Sequence, residues 1–263
     1  MKILITGGTG SLGKEICNIL SSRGISVLVL AREKRRLPYE SCWGDISNLE
    51  VVKGAVKNCD RVIHAAVAKR TDTSEEIVNT NIIGSKNVLL ACEEFEKPVK
   101  MISSSEALPD PVSKMYGYSK YIMEELTKEF SQRCEASYIR LPTILGSTES
   151  LVQRWLLRKK VELYIFDGHS KKKFFVTLKE AAIACCEESQ KEYIEASVMD
   201  ISDLAKIISN HLHTQIIPVN RKGEYYEWLG EGYCSKDMPP IGIEELKKIV
   251  EETCGIREYI LPW

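Results

Sequence analysis

Lys2-Ile-Leu-Ile-Thr6-Gly7-Gly8-Thr9-Gly10-Ser11-Leu12-Gly13 opens the chain, and its reading decides the fold. The apolar run Ile3-Leu4-Ile5 has the character of a strand covered on both faces, and the apolar spacing over Ser11–Ser22 is that of a helix. Between them, Thr6 to Gly13 fits T-G-x-x-G-x-x-G. Gly7 suits a tight turn, Gly10 lets the backbone approach a pyrophosphate, and Gly13 permits close helix–strand packing. The helix N-terminus then offers N–H groups and the positive end of its dipole to phosphates. A turn without a ligand is the alternative, but such a pattern arises by chance in only roughly a few of every thousand chains of this composition. Gly7, Thr9, Gly10, Ser11, Leu12 and Gly13 are therefore assigned to a dinucleotide cofactor.

Working outward, the strand–helix rhythm continues to about residue 146. Strands are expected at Lys2–Thr6, Ser26–Ala31, Ser41–Gly44, Arg61–Ala65, Val99–Ser103 and Ser137–Leu141. Helices are expected at Ser11–Ser22, Leu49–Val56, Ser74–Phe95 and Tyr116–Cys134. This alternation predicts an α/β fold with a doubly wound parallel (Rossmann) sheet over residues 1–146. Residues 147–263 are expected to form a small C-terminal substrate lobe, with about 174–190 returning to the sheet. There the sequence suggests a basic helix (Leu151–Lys160), a strand (Val161–Phe166), helices at Leu178–Glu188 and Ser202–His211, and a tail rich in Gly, Pro and Tyr.

The end of the second strand bears on the choice of nucleotide. It reads Leu30-Ala31-Arg32-Glu33-Lys34-Arg35-Arg36. A guanidinium at Arg32, supported by Arg35, suits a ribose 2′-phosphate, so NADP is favoured, with NAD kept open by Glu33. Asp45 has two equal readings, an acceptor for the adenine amino group or a helix N-cap.

Tyr116 and Lys120 stand at i and i+4 on one helix face. A lysine ammonium there favours phenolate and so readies a tyrosine to exchange a proton with a substrate hydroxyl or carbonyl. With 11 tyrosines in the chain the spacing alone means little. Its position gives it weight, because this helix follows a strand ending in Ser103-Ser104-Ser105, at the carboxyl edge where open α/β sheets bind ligands. A hydroxyl of Ser104 or Ser105 is placed to polarise the same substrate oxygen.

Taken in order, these residues resemble the extended short-chain dehydrogenase/reductase family, which holds nucleotide-sugar epimerases, dehydratases and reductases. Asp45-Ile46 is similar to the family's adenine-contacting acid, and His64-Ala65-Ala66 to the segment lining the cofactor after the fourth strand. Asn81-Ile-Ile-Gly-Ser-Lys-Asn87 resembles the helix motif N-V-x-G-T-x-N. Arg140-Leu141-Pro142 resembles R-x-P after the sixth strand, and Phe174–Thr177 the strand that returns to the sheet. The resemblance implies cofactor contacts from Asp45, Ile46, His64, Ala65, Ala66, Asn81, Tyr116, Lys120, Leu141 and Pro142. It implies catalysis by Tyr116, Lys120 and Ser104 or Ser105, on an alcohol or ketone carbon of a nucleotide sugar. A homodimer through Ser74–Phe95 and Tyr116–Cys134 is also implied. Departures are visible: Leu108-Pro109 replaces the usual tyrosine–glycine, and Lys179-Glu180 replaces an acidic pair. Glu106 lacks the Asp partner that dehydratases carry. Two other functions stay in play, an NADP-dependent carbonyl reductase for a small ketone and a non-catalytic dinucleotide sensor.

The remaining features are general. Thirty-six basic against 37 acidic residues argue against a nucleic-acid binder. No apolar run approaches the roughly 20 residues of a membrane span. The chain begins on a strand rather than a signal-peptide pattern, and its nine scattered cysteines suit a reducing, cytoplasmic setting. Arg154 and Arg158 are spaced to share a helix face that can clamp a substrate diphosphate, a solvated face being the plainer reading. Lys171–Lys173 reads as a surface loop. His169, His211 and His213 lack metal-ligand spacing, so no metal is expected. Tyr225, Tyr226, Tyr233 and Trp228 suit either a substrate pocket or simple packing.

Overall fold

The computed structural model describes residues 1–221 except 35, 70, 108, 110–114, 147–154, 156–157, 167–171, 189–191 and 195. Arg35, Arg154, His169, Lys171, the tail aromatics and most of the expected basic helix lie outside the described residues.

Residues 1–141 and 179–194 form one unit. Its elements run β1 (Lys2–Thr6), α1 (Ser11–Ser22), β2 (Ser26–Ala31), β3 (Glu40–Trp43), α2 (Leu49–Val56) and β4 (Arg61–His64). They continue as α3 (Ser74–Ile77), a π-helical turn (Val78–Gly84), α4 (Ser85–Glu94), β5 (Val99–Ser104), α5 (Met115–Phe130) and β6 (Ala136–Leu141). The six strands are all parallel in the order β3-β2-β1-β4-β5-β6. This is the doubly wound arrangement expected, and the strand order reverses between β1 and β4, where Thr6 and His64 lie side by side in register.

Alternate residues of the strands bury opposite faces. Leu4, Leu28, Leu30, Val62, Val99 and Met101 pack with Val52 and Val56 of α2, Val88, Leu89 and Cys92 of α4, and Met123 and Phe130 of α5. Ile3, Ile5, Val27, Val29 and Ile63 are also buried, on the other side of the pleat, as are Ile16, Cys17 and Leu20 of α1. Polar anchors pin the segment 179–194 to this sheet. Buried Lys100 of β5 donates to the Glu187 carbonyl, Arg61 pairs with Glu188 at 3.0 Å, and the Arg140 N–H donates to the Glu192 carbonyl at 2.7 Å.

Several boundaries differ from the sequence expectation. The expected helix Ser74–Phe95 is three segments, with a capping box formed by Thr73 and Glu76 at its start and a π-helical turn around Asn81. Asn48 caps α2, accepting from the N–H groups of Glu50 and Val51, so Asp45 is not the helix cap that one reading made it.

The second unit comprises residues 142–178 and 195–263. Its described strands are β7 (Thr143–Leu145), β8 (Val161–Phe166), β9 (Lys172–Thr177), β10 (Ser197–Asp200) and β11 (Ile216–Arg221). α6 (Leu178–Cys186) starts in this unit and continues in the first, and α7 spans Ile201–Leu212. β9 lies between β10 and β7, and β8 pairs with β11. Residues 174–190 therefore divide: 179–190 fall with the six-stranded sheet, whereas Phe174–Thr177 pair within the second unit. Its core gathers Leu145, Trp155, Val161, Phe175, Leu204 and Ile208. Among the described residues no helix is long and apolar enough to cross a membrane.

Candidate active site

The glycine turn takes the shape its spacing demands. Gly7 has φ +72°, and a Cβ there would stand 2.6 Å from the Ala65 carbonyl carbon and the Ala66 nitrogen. A Cβ at Gly13 would come within 2.2 Å of the Gly7 oxygen, so α1 leaves the turn at the closest approach a backbone allows. Gly10 is different: it is exposed, and its nearest neighbour to a Cβ would be the Gly7 oxygen at 3.4 Å. The N-cap of α1 is Gly10 itself, with no side-chain cap and no acid in the first turn. The positive end of the helix therefore meets an exposed turn with no acid of its own first turn to oppose it, which fits a bound pyrophosphate.

Beside this turn, the end of β4 is tied to β1 and to the helix after it. The His64 imidazole is buried, with Nδ1 2.7 Å from Thr6 Oγ1 and Nε2 3.0 Å from Ser85 Oγ. Thr6 Oγ1 also accepts the Ala66 N–H at 3.2 Å. Burial, then the Lys120 charge, pushes His64 down to about 3, so it is a neutral wall residue and not a general base near neutral pH.

The Asn81–Asn87 motif works along one helical rod. Asn81 Oδ1 accepts the Ala68 N–H at 2.7 Å, and its Nδ2 donates to the Ala68 carbonyl at 3.1 Å and to Ser119 Oγ at 3.0 Å. Ser85 reaches His64, and Asn87 Nδ2 donates to the carbonyls of Ile46 and Ser47 at 3.0 and 2.8 Å. These last two bonds fix the loop that holds Asp45. Asp45 is exposed, and its Oδ1 accepts the Ser47 N–H at 2.8 Å. Arg32 is exposed directly after β2.

At the carboxyl end of β5 the three serines separate. Ser103 Oγ donates to the buried carboxylate of Glu124. Ser104 Oγ accepts the Glu106 N–H at 3.2 Å, closing the turn that ends the strand. Ser105 is buried and its own N–H donates to the Leu141 carbonyl at 2.9 Å, while among the described residues its hydroxyl makes no hydrogen bond. A buried hydroxyl without a partner is costly unless something else supplies one. α5 meets this turn closely, since a Cβ at Gly117 would stand 2.4 Å from the Glu106 oxygen. That approach brings Tyr116, half-buried at the helix start, next to the serine turn. One helical turn on, buried Lys120 donates to the Ile102 carbonyl at 2.7 Å, and burial pushes its ammonium down to about 8, against the pull of Glu124.

Leu141 ends β6, and buried Pro142 begins the second unit. There Arg158 is exposed, 3.8 Å from the Glu162 carboxylate, and Trp155 is buried with its indole N–H donating to the Glu162 carbonyl at 3.2 Å. Among the described residues no group of three His, Cys, Asp or Glu is placed to hold a metal ion. Glu124 and Ser119 were not singled out by the sequence. Their signal lies in the helix period, since Ser119 and Glu124 fall beside Lys120 on the covered side of α5.

The sequence profile of the NAD dependent epimerase/dehydratase family matches residues 3–176. The chain belongs to that family. The resemblance to extended short-chain dehydrogenases/reductases is thereby upheld. Among relatives, an uncharacterized membrane protein of Methanocaldococcus jannaschii is 33% identical over 182 residues, covering 61% of this chain and 53% of that protein. The UDP-N-acetylglucosamine 4,6-dehydratase (inverting) of Campylobacter jejuni is 27% identical over 254 residues, covering 84% of this chain and 75% of the enzyme. The chain thus spans about half the length of the first of these. In fold it is similar to the Bordetella bronchiseptica enzyme WbmH in complex with NAD+, with a TM-score of 0.79 at 18% identity over 99% of each chain. A member of the epimerase/dehydratase family with a Rossmann fold is what these likenesses describe.

Proposed function

We propose that this family member is a nicotinamide-dinucleotide-dependent oxidoreductase of the epimerase type, acting on an alcohol or ketone carbon of a nucleotide sugar. The observation that carries the reading is the buried Lys120 ammonium, held on the Ile102 carbonyl one helical turn from Tyr116, with the buried Ser105 hydroxyl unpartnered among the described residues at the end of the same strand. Bound along the Gly7–Gly13 turn, the cofactor supplies the two-electron redox chemistry at the substrate carbon. Thr9, Ser11 and Leu12 line its phosphates with the glycines. Asp45 and Ile46 take the adenine side, Arg32 the ribose 2′-position, and Ala65, Ala66, His64, Asn81, Leu141 and Pro142 the remaining wall.

Within that site the Tyr116 phenol takes up or returns the proton of the substrate hydroxyl. The Lys120 ammonium favours its phenolate and holds the nicotinamide ribose. The Ser105 hydroxyl donates to the substrate oxygen, and Ser104 shapes the turn that presents it. Glu106 without an acidic neighbour disfavours dehydration, although one relative is a dehydratase. Residues 147–263 are the substrate lobe in this reading. The chain pairs with a second copy through its two long helical stretches, on which Ile83 and Met115 are exposed apolar residues.

The test is mass spectrometry of the purified, denatured protein, followed by incubation with UDP-sugars and product analysis. A released or readily bound NAD(P) is expected. Tyr116→Phe should lower turnover by about 100-fold or more without loss of the nucleotide. Failure to bind any nicotinamide dinucleotide would end this reading.

A further inference from the structure

Two turns beyond Tyr116, α5 carries a buried acid. Glu124 has no exposed surface, and its carboxylate accepts from three donors. Oε1 takes the Ser103 hydroxyl and Arg140 Nε at 2.8 Å, and Oε2 takes Arg140 Nη2 at 2.6 Å. Arg140 is itself buried, and its Nη1 donates to the Tyr193 hydroxyl at 3.0 Å, with the guanidinium carbon 5.5 Å from the centre of that ring. The fork thus joins β6 to α5, the Ser103 bond joins α5 to β5, and Tyr193 joins in the segment 179–194.

An ion pair taken out of water gives little net stability, yet here it stands four residues from the lysine of the site. Lys120 feels the charge of Glu124 one turn on along its own helix, with Tyr116 one turn the other way. From β4 it meets His64, which burial keeps neutral. From β5 it meets the Ile102 carbonyl and, through Glu124, the Ser103 hydroxyl. Arg140 of β6 is held on Glu124, and the π-helical turn brings the uncharged Asn81 to Ser119, the residue before Lys120. Among these neighbours Glu124 is the one buried negative charge that acts on the Lys120 ammonium.

We propose that Glu124, clamped by Arg140, is a positioning residue for the Ser–Tyr–Lys set: it locks the serine-bearing strand to the helix of Tyr116 and Lys120, and supplies the counter-charge that keeps Lys120 protonated. This rests on the oxidoreductase reading for its purpose but not for its test. Cofactor-free protein carrying 13Cε-labelled lysine is titrated by NMR, with the Lys120 resonance assigned by its loss in Lys120→Met. Glu124→Gln preserves shape and removes charge, and should move the Lys120 titration down by more than about one pH unit. Glu124→Asp should restore it to within about half a unit. An unmoved titration in Glu124→Gln overturns the assignment.

Glu124→Gln leaves the buried Arg140 guanidinium without its counter-charge and can fail to fold. In that event Glu124→Gln/Arg140→Gln, which removes both charges, should still lower the titration, and a rise or no change overturns the assignment. In the holoenzyme the alkaline limb of kcat should move down with Glu124→Gln while KM changes little. A wild type that binds no dinucleotide and turns over no sugar nucleotide would defeat the enzymatic reading, while a shifted Lys120 titration would still support the role of Glu124.

Discussion

His64 gives the fold a specific acid sensitivity. Its ring is enclosed between Thr6 and Ser85, and burial together with Lys120 lowers it from the ordinary 6.5 to about 3. A histidine held neutral in the folded state binds a proton more readily once the chain unfolds. Its contribution is therefore complete above pH 6.5 and is lost progressively as the pH falls toward 3. At about 1.4 kcal/mol per unit, the unfolded state gains about 2 kcal/mol between pH 8 and pH 5 from this one residue. Most carboxylates remain ionised over that range, and comparison with a variant lacking the ring separates His64 from the other three histidines and from Lys120. The assay is amide hydrogen exchange in β1 and β4, alongside urea unfolding, on cofactor-free protein at pH 8, 7, 6 and 5. His64→Asn retains a neutral polar group beside Thr6. It should be less stable at pH 8 through the lost Ser85 contact, yet lose about 2 kcal/mol less than wild type on going to pH 5. Equal losses in the two proteins would refute the argument that this ring is held uncharged.

Three further outcomes are expected. Gly13→Ala forces a Cβ to within 2.2 Å of the Gly7 oxygen and should cost about 1–3 kcal/mol and weaken dinucleotide binding, whereas Gly54→Ala in α2, where a Cβ meets nothing within 4 Å, should be neutral or stabilising; paired thermal melts and cofactor titrations decide it. Asn87→Ala removes both hydrogen bonds to the Ile46 and Ser47 carbonyls and should lose about 2 kcal/mol in urea unfolding. Arg32→Ala should weaken NADPH by about tenfold or more and leave NADH nearly unchanged in fluorescence titrations, and equal losses for both would remove Arg32 from the 2′-position.

The parallel sheet was legible because its strands are apolar runs with a glycine turn at the first crossover, and both signals are local. The second unit hid more. Ile216–Arg221 contains Pro218 within a polar tail and reads poorly as a strand, yet it pairs with β8 at the edge of a two-stranded sheet, where a missing N–H is tolerated. Asp45 and Asn48 are both good cap residues three positions apart, and only the path of the loop after β3 decides that Asn48 caps. Tyr116 and Lys120 stand out by spacing and position alone. The local bonding of the two serines does not, because only the folded turn shows that the Glu106 N–H engages the Ser104 hydroxyl. Glu124 reads in sequence as one more charge on a helix. What makes it different is a guanidinium from β6, sixteen residues away and invisible to helical periodicity.

The rod from Val78 to Glu94 touches the segment after β4 with Asn81, the imidazole with Ser85 and the loop after β3 with Asn87. A single stiff spacer therefore sets the distances among three separate stretches of the rim. Those stretches are mechanically geared: insertions or substitutions that displace one are felt at the other two, and the rim evolves, or is redesigned, as one piece. Fraying of this rod would loosen the whole rim at once, at a free energy below that of global unfolding.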